Sequence, residues 1–193
     1  VASKQRRAFE AFMPEVGYQP NKKFNMMNGD QRQIYYHETT EMKIDIFVGD
    51  FEMCHKIPLE NRLTADPVTI PLAELLLSKA QIFELNRKDA LDITSVLMNN
   101  ETGNSDDETI NLKILAQLCS QDWGLYKTTS INLGRVVDLV HEKDISLSQA
   151  ERDLIMSRVQ AIQKTFEDMQ KPIAWQLRDR VGTRVKWYIE VEE

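Results

Sequence analysis

The chain has 193 residues, 42% hydrophobic and 28% charged, a balance that supports a folded core and excludes a disordered or membrane-embedded chain. With 30 acidic side chains against 24 basic ones the net charge is −6, so the surface as a whole does not draw a nucleic-acid backbone. The apolar stretches run only a few residues, far short of the roughly 20 needed to cross a bilayer, and two cysteines, Cys54 and Cys119, show no pairing pattern that would suggest a disulfide framework or a zinc site. The expected address is the cytoplasm, with no membrane partner. The first residue is Val1, and the chain runs straight into a helix-like stretch, which leads us to expect a preceding segment in the natural protein.

Residues 3–16 carry Phe9, Phe12, Met13 and Val16 at three- and four-residue spacing, which predicts a helix capped by Ser3 and ended by Gly17. The stretch 17–30, with Pro20, Asn21, Asn28 and Gly29, reads as turns. Residues 31–36 and 42–48 read as strands, and the short polar connection 37–41 predicts an antiparallel hairpin. Residues 52–57 read as a further strand. From 71 to 97 the pattern is helical with a break near Asn86, and 99–107 reads as a solvated loop marking a subdomain boundary. Helices are expected over 110–119, 125–141, 148–169 and 171–188. Strands first and helices afterwards predict an α/β (α+β) head over residues 1–98 and an α-helical region over residues 108–193.

Several side chains are chemically suggestive. In Lys43-Ile44-Asp45-Ile46-Phe47-Val48, alternation puts Ile44, Ile46 and Val48 on one face and Asp45 on the other. An acid inside a β-branched strand is locally unfavourable, so it is either a solvent-facing residue or one with a compensating role. Counted at 3.6 residues per turn from Leu72, the apolar face of the next helix also holds Lys79, which must reach out to water or meet an anion. Asp89 and Asp92 are three apart and share a helix side. With Lys79 and Arg87 they form a set suited to phosphate, in which basic groups offset phosphate charge and carboxylates hold a divalent metal. The bland alternative is that Asn86 caps the helix, Asp89 answers its exposed amides and Asp92 is a solvated acid. His37, Cys54 and His55 read as structural, because neighbours in a strand face opposite ways. Trp123, Trp175 and Trp187 read as packing anchors, and the basic run Arg178 to Lys186 as a wet helix face or a nucleic-acid contact.

The segments Gly17-Tyr18-Gln19-Pro20-Asn21-Lys22, Lys43-Ile44-Asp45-Ile46-Phe47 and Lys79 through Ile93 together resemble the nucleotidyltransferase fold, in particular bacterial nucleotidyltransferase-like proteins related to abortive-infection toxins. The resemblance implies a mixed-sheet head. It makes Asp45 the third acid of the fold, a catalytic and metal-binding residue, and it places Lys79 with Arg87, Asp89 and Asp92 around a nucleoside triphosphate bound with Mg²⁺. Strand alternation turns Asp45 off the aliphatic row and helical phase turns Lys79 toward the sheet, so the two are expected to face one pocket. The implied reaction is metal-dependent transfer of a nucleotidyl group to RNA, a protein or a small molecule. The sequence departs from the pattern in having no Gly-Ser turn and no Asp-x-Asp pair ahead of Asp45, while Asp106 and Asp107 come too late. Those acids are expected upstream of Val1. The alternative is a degenerate nucleotidyltransferase fold that binds a nucleotide or a protein and does no chemistry.

Overall fold

In the computed structural model, which describes residues 1–190, the first predicted helix is a 3-10 turn at Ser3–Gln5 followed by α1 (Arg6–Glu15). Ser3 does not cap it. Its N–H and hydroxyl instead donate to the Glu60 carboxylate, at 3.1 and 2.7 Å. Gly17 ends the helix as expected: its φ of +83° is a left-handed conformation that costs a side-chain-bearing residue, and its N–H donates to Pro14 O.

Residues 17–30 hold more structure than turns, with a short strand β1 (Tyr18–Pro20) and a helix α2 (Lys22–Asn28). Asn21, read in sequence as a turn residue, is the helix cap, its side chain accepting from Phe24 N–H at 3.1 Å. The hairpin is formed by β2 (Arg32–His37) and β3 (Lys43–Phe47), antiparallel, with β1 on the other edge. This sheet is therefore wholly antiparallel and not mixed. Its inner face is fixed by packing on α1: Phe9 meets the Tyr35 ring edge-on at 6.1 Å, and Gln33, Tyr35 and Met13 are buried. The expected strand at 52–57 is two short strands, β4 (Phe51–Glu52) and β5 (Lys56–Ile57), because the chain reverses between them. These elements form one compact unit, Val1–Glu52 with Lys56–Thr69.

The second unit comprises Met53–His55 and Ile70–Glu193. The predicted helical stretch breaks at Asn86 into α3 (Leu72–Ala80) and α4 (Arg87–Asn99). Segment 99–107 lies inside this unit and is only partly loop, since β6 (Glu101–Gly103) pairs in parallel with β7 (Thr109–Asn111). The connection 104–108 is far shorter than a parallel crossover ordinarily needs, and Glu108 at its end adopts φ +56°. Then come α5 (Leu112–Gln121), α6 (Trp123–Val140) and α7 (Gln149–Asp168), the last started by a capping box of Ser148 and Glu151. Leu76, Leu77, Ile93, Leu97, Leu115, Leu133, Ile155 and Ile162 are fully buried and make the core.

The last predicted helix is shorter than its pattern suggests. α8 (Ile173–Val181) gives way to a 3-10 turn at Gly182–Arg184 and then to irregular chain. Gly182 adopts φ +61°, and the Arg178 guanidinium donates to Gly182 O and Val185 O, at 2.6 and 2.8 Å, holding the chain in its new direction. The whole is a mixed α+β protein with small sheets. Among the described residues no helix is long and apolar enough to cross a membrane.

Candidate functional site

Asp45 belongs to the first unit and Lys79, Arg87, Asp89 and Asp92 to the second. On β3, Asp45 stands opposite Ile34 in register and away from the Ile44 and Ile46 face, as alternation predicts. Arg32 lies on the Asp45 side of the sheet, and its guanidinium reaches Asp45 Oδ1 from Nε at 2.9 Å and Nη2 at 2.8 Å. Lys43 Nζ lies 3.6 Å from Oδ2, so each carboxylate oxygen faces a cation. The rings of Phe24 and Phe47 flank the guanidinium, at 5.7 and 5.6 Å, which fixes its plane. A divalent ion at Asp45 would have to displace these partners. Arg32 was not foreseen; the signal was its position opposite Phe47, diagonal to Asp45 across the hairpin.

The second unit brings three of the candidates together. Lys79 Nζ lies 2.8 Å from Asp92 Oδ2 and 3.5 Å from Asp89 Oδ1. The Asp92 hydrogen bond is the main cause that holds the Lys79 ammonium above its ordinary pKa, with Asp89 adding to it. Asn86 also caps α4 by accepting from Asp89 N–H at 2.8 Å. Asp89 is thus both a first-turn acid and a partner of Lys79. One ammonium between two carboxylates leaves a local excess of negative charge, which favours a clamp between α3 and α4 over a phosphate cradle. Arg87 is not part of the cluster: it pairs with Glu142 and, at 2.7 Å, with Asp144.

A cavity of about 330 Å³ in the first unit is lined by Ser3, Gln31, Asp50, Glu52, Lys56 and Glu60. Burial pushes the Asp50 carboxyl up, but Lys56 at 2.9 Å and the N–H groups of Glu60 and Leu59 outweigh it and leave its pKa lowered. Three acids against one lysine do not suit a triphosphate. Cys54 and His55 are buried, as their structural reading predicts. Burial pushes the Cys119 thiol far above its usual range, which removes it as a nucleophile. Among the described residues no group of three His, Cys, Asp or Glu side chains is arranged to hold a metal ion.

The remaining feature is the outer face of α8. Trp175 turns inward, its indole N–H donating to Cys119 O at 3.0 Å. Ile173, Leu177 and Val181, spaced by four, face outward with 77%, 54% and 41% of their surface exposed. The surrounding segment 171–186 holds five basic side chains, Lys171, Arg178, Arg180, Arg184 and Lys186, against the single acid Asp179. The four-residue spacing was visible in the sequence, but such a stripe ordinarily marks a buried face. Compared with known protein families, curated proteins and solved structures, the chain gives no match.

Proposed function

We propose that this chain is a non-catalytic binding module whose α8 face docks an acidic, amphipathic segment of a partner protein. The carrying observation is the aliphatic row Ile173, Leu177 and Val181, open to water inside a basic segment of an otherwise acidic chain. Burying such a row contributes roughly 25 cal/mol per Å² of apolar surface, and arginines at the rim add directed bonds to carboxylates. Aliphatic side chains offer nothing to a phosphate backbone, which disfavours nucleic acid as the occupant. A lipid surface is the competing outcome. The engagement of Asp45, Lys79 and Arg87 by opposite charges supports a role without chemistry.

The test is photo-crosslinking from a benzoylphenylalanine at position 177 in the natural source. Crosslinks to one protein, mapped to a segment rich in Asp or Glu with apolar residues at helical spacing, support the reading. Crosslinks to lipid or nucleic acid, or none above a probe at exposed position 154, overturn it.

A second reading keeps the nucleotidyltransferase resemblance: a nucleoside triphosphate, with Mg²⁺, held at Lys79. What favours it is the convergence of Lys79, Asp89 and Asp92. Calorimetric titration of Mg²⁺ and ATP into the chain and into Lys79→Ala decides it, since a bound triphosphate must be weakened at least tenfold by the loss of the ammonium.

A further inference from the structure

Beyond α8 the irregular residues 185–190 lie against the body of the second unit in an arrangement that resembles a ligand in a site. The Trp187 indole N–H donates to Thr128 Oγ1 at 3.0 Å, and the same hydroxyl is 2.8 Å from His55 Nε2. The indole is walled by Phe83, edge-on at 5.2 Å, and by Trp123 at 6.2 Å. Thr128 is fully buried and His55 is 5% exposed, so this polar floor belongs to the interior of the unit. Gln81, also fully buried, accepts from His55 N–H at 2.7 Å, while its Nε2 has no partner. A buried amide donor left unused costs free energy unless something else meets it.

Few contacts hold the covering chain. Among the described residues its backbone is met at Ile189 N–H, which donates to Cys54 O at 3.0 Å, and at Val185 O, which accepts from Arg178, while the Tyr188 ring stacks on Phe83 at 3.9 Å. Val185, Lys186, Ile189 and Glu190 are exposed, and Trp187 and Tyr188 are only half-buried. Segments with few buried contacts open at low free energy while the body stays folded. Gly124 sets the approach: a Cβ there would stand 2.6 Å from Trp187 O and 3.0 Å from His55 Cε1.

We propose that residues 185–190 are a displaceable plug, and that the socket under Trp187 binds a planar heteroaromatic ring that presents an N–H at its edge. Such a ring takes the place of the indole on Thr128 between Phe83 and Trp123. The chemistry is common to an indole and to a nucleobase, and it does not depend on the α8 docking face.

The experiment is hydrogen exchange of the Ile189 amide in the full chain, with indole or adenine added up to solubility and α6 amides as internal reference. Trp187→Ala removes the anchor of the plug and leaves Thr128 and His55 in place, so it serves as the plug-free variant once its helical circular dichroism is shown to be kept. We expect Ile189 protection in the natural chain to fall at least tenfold at saturation with one or both rings, and α6 protection to hold. The plug-free variant should bind the same ring at least tenfold tighter, because no closed state competes. Release by adenine alone assigns the site to nucleobases, and release by indole alone to indoles. Unchanged Ile189 protection with both rings overturns the proposal. So does ring binding confined to Trp187→Ala, which would be a cavity of the variant only.

Discussion

If Lys79, Asp89 and Asp92 are a clamp, their removal affects stability and leaves ligand affinity alone. Lys79 and Asp92 are 36% and 39% exposed at their side chains. At that exposure water screens the pair, so the 2.8 Å contact contributes about 0.2 to 1 kcal/mol. The Asn86 cap is the larger element, and Asn86→Ala should cost about 1 kcal/mol. Asp89→Asn loses the dipole interaction of a first-turn acid, about 0.3 to 1 kcal/mol. Denaturant midpoints for these variants, with a double-mutant cycle between Lys79→Met and Asp92→Asn, read the values directly. The expected coupling is at most about 1 kcal/mol, alongside unchanged calorimetric titrations of Mg²⁺ and ATP. A tenfold loss of ATP affinity in Lys79→Met would refute the clamp, as would a coupling of several kcal/mol, which belongs to a desolvated pair.

Burial lowers the His55 pKa below its ordinary 6.5, against a smaller opposing effect of Asp122. The unfolded chain therefore takes up the proton first as pH falls. The stability linked to His55 is fully present above about 6.5 and is lost as pH drops through the lower folded value. Midpoints measured between pH 7.5 and 5 should fall, and His55→Gln should flatten that slope; an unchanged slope removes His55 as its cause. Gly17→Ala should cost about 1 to 2 kcal/mol for an alanine at φ +83°, read from thermal unfolding, and a silent substitution would contradict that backbone. Leu133→Ala, at a fully buried position, should cost about 2 to 5 kcal/mol, and under 1 kcal/mol would show that α6 is not packed as described.

The sequence carried most elements through periodicity and short-range signals. Asn86 as cap, Gly17 as terminator and the hairpin with Asp45 off its aliphatic face are all local patterns, and all three stand in the fold. α2 was missed because Pro20 and Asn21 are turn residues by composition, and only the three-residue reach of the Asn21 side chain marks a helix start. The end of α8 was missed because the apolar spacing of four continues through Val185 and Ile189, while the break depends on Gly182 and on the Arg178 bonds to Gly182 O and Val185 O. For the site, the grouping of Lys79 with Asp89 and Asp92 came from the motif they share, while helical phase alone turned Lys79 toward the sheet. It could not show that Arg87 would be taken by Glu142 and Asp144, more than 50 residues away in sequence. That partnership is a matter of tertiary packing, as is the exposure of Ile173, Leu177 and Val181.

The central claim is that the α8 face is a protein-docking surface, and hydrogen exchange with the crosslinked segment made as a synthetic peptide tests it most directly. The peptide should slow exchange across residues 173–181 at least tenfold at saturation. Leu177→Asp should abolish that protection without changing the unfolding free energy by more than about 0.5 kcal/mol, since the side chain is already half in water. Undiminished protection in Leu177→Asp, or protection that falls elsewhere while residues 173–181 exchange as before, would contradict the account.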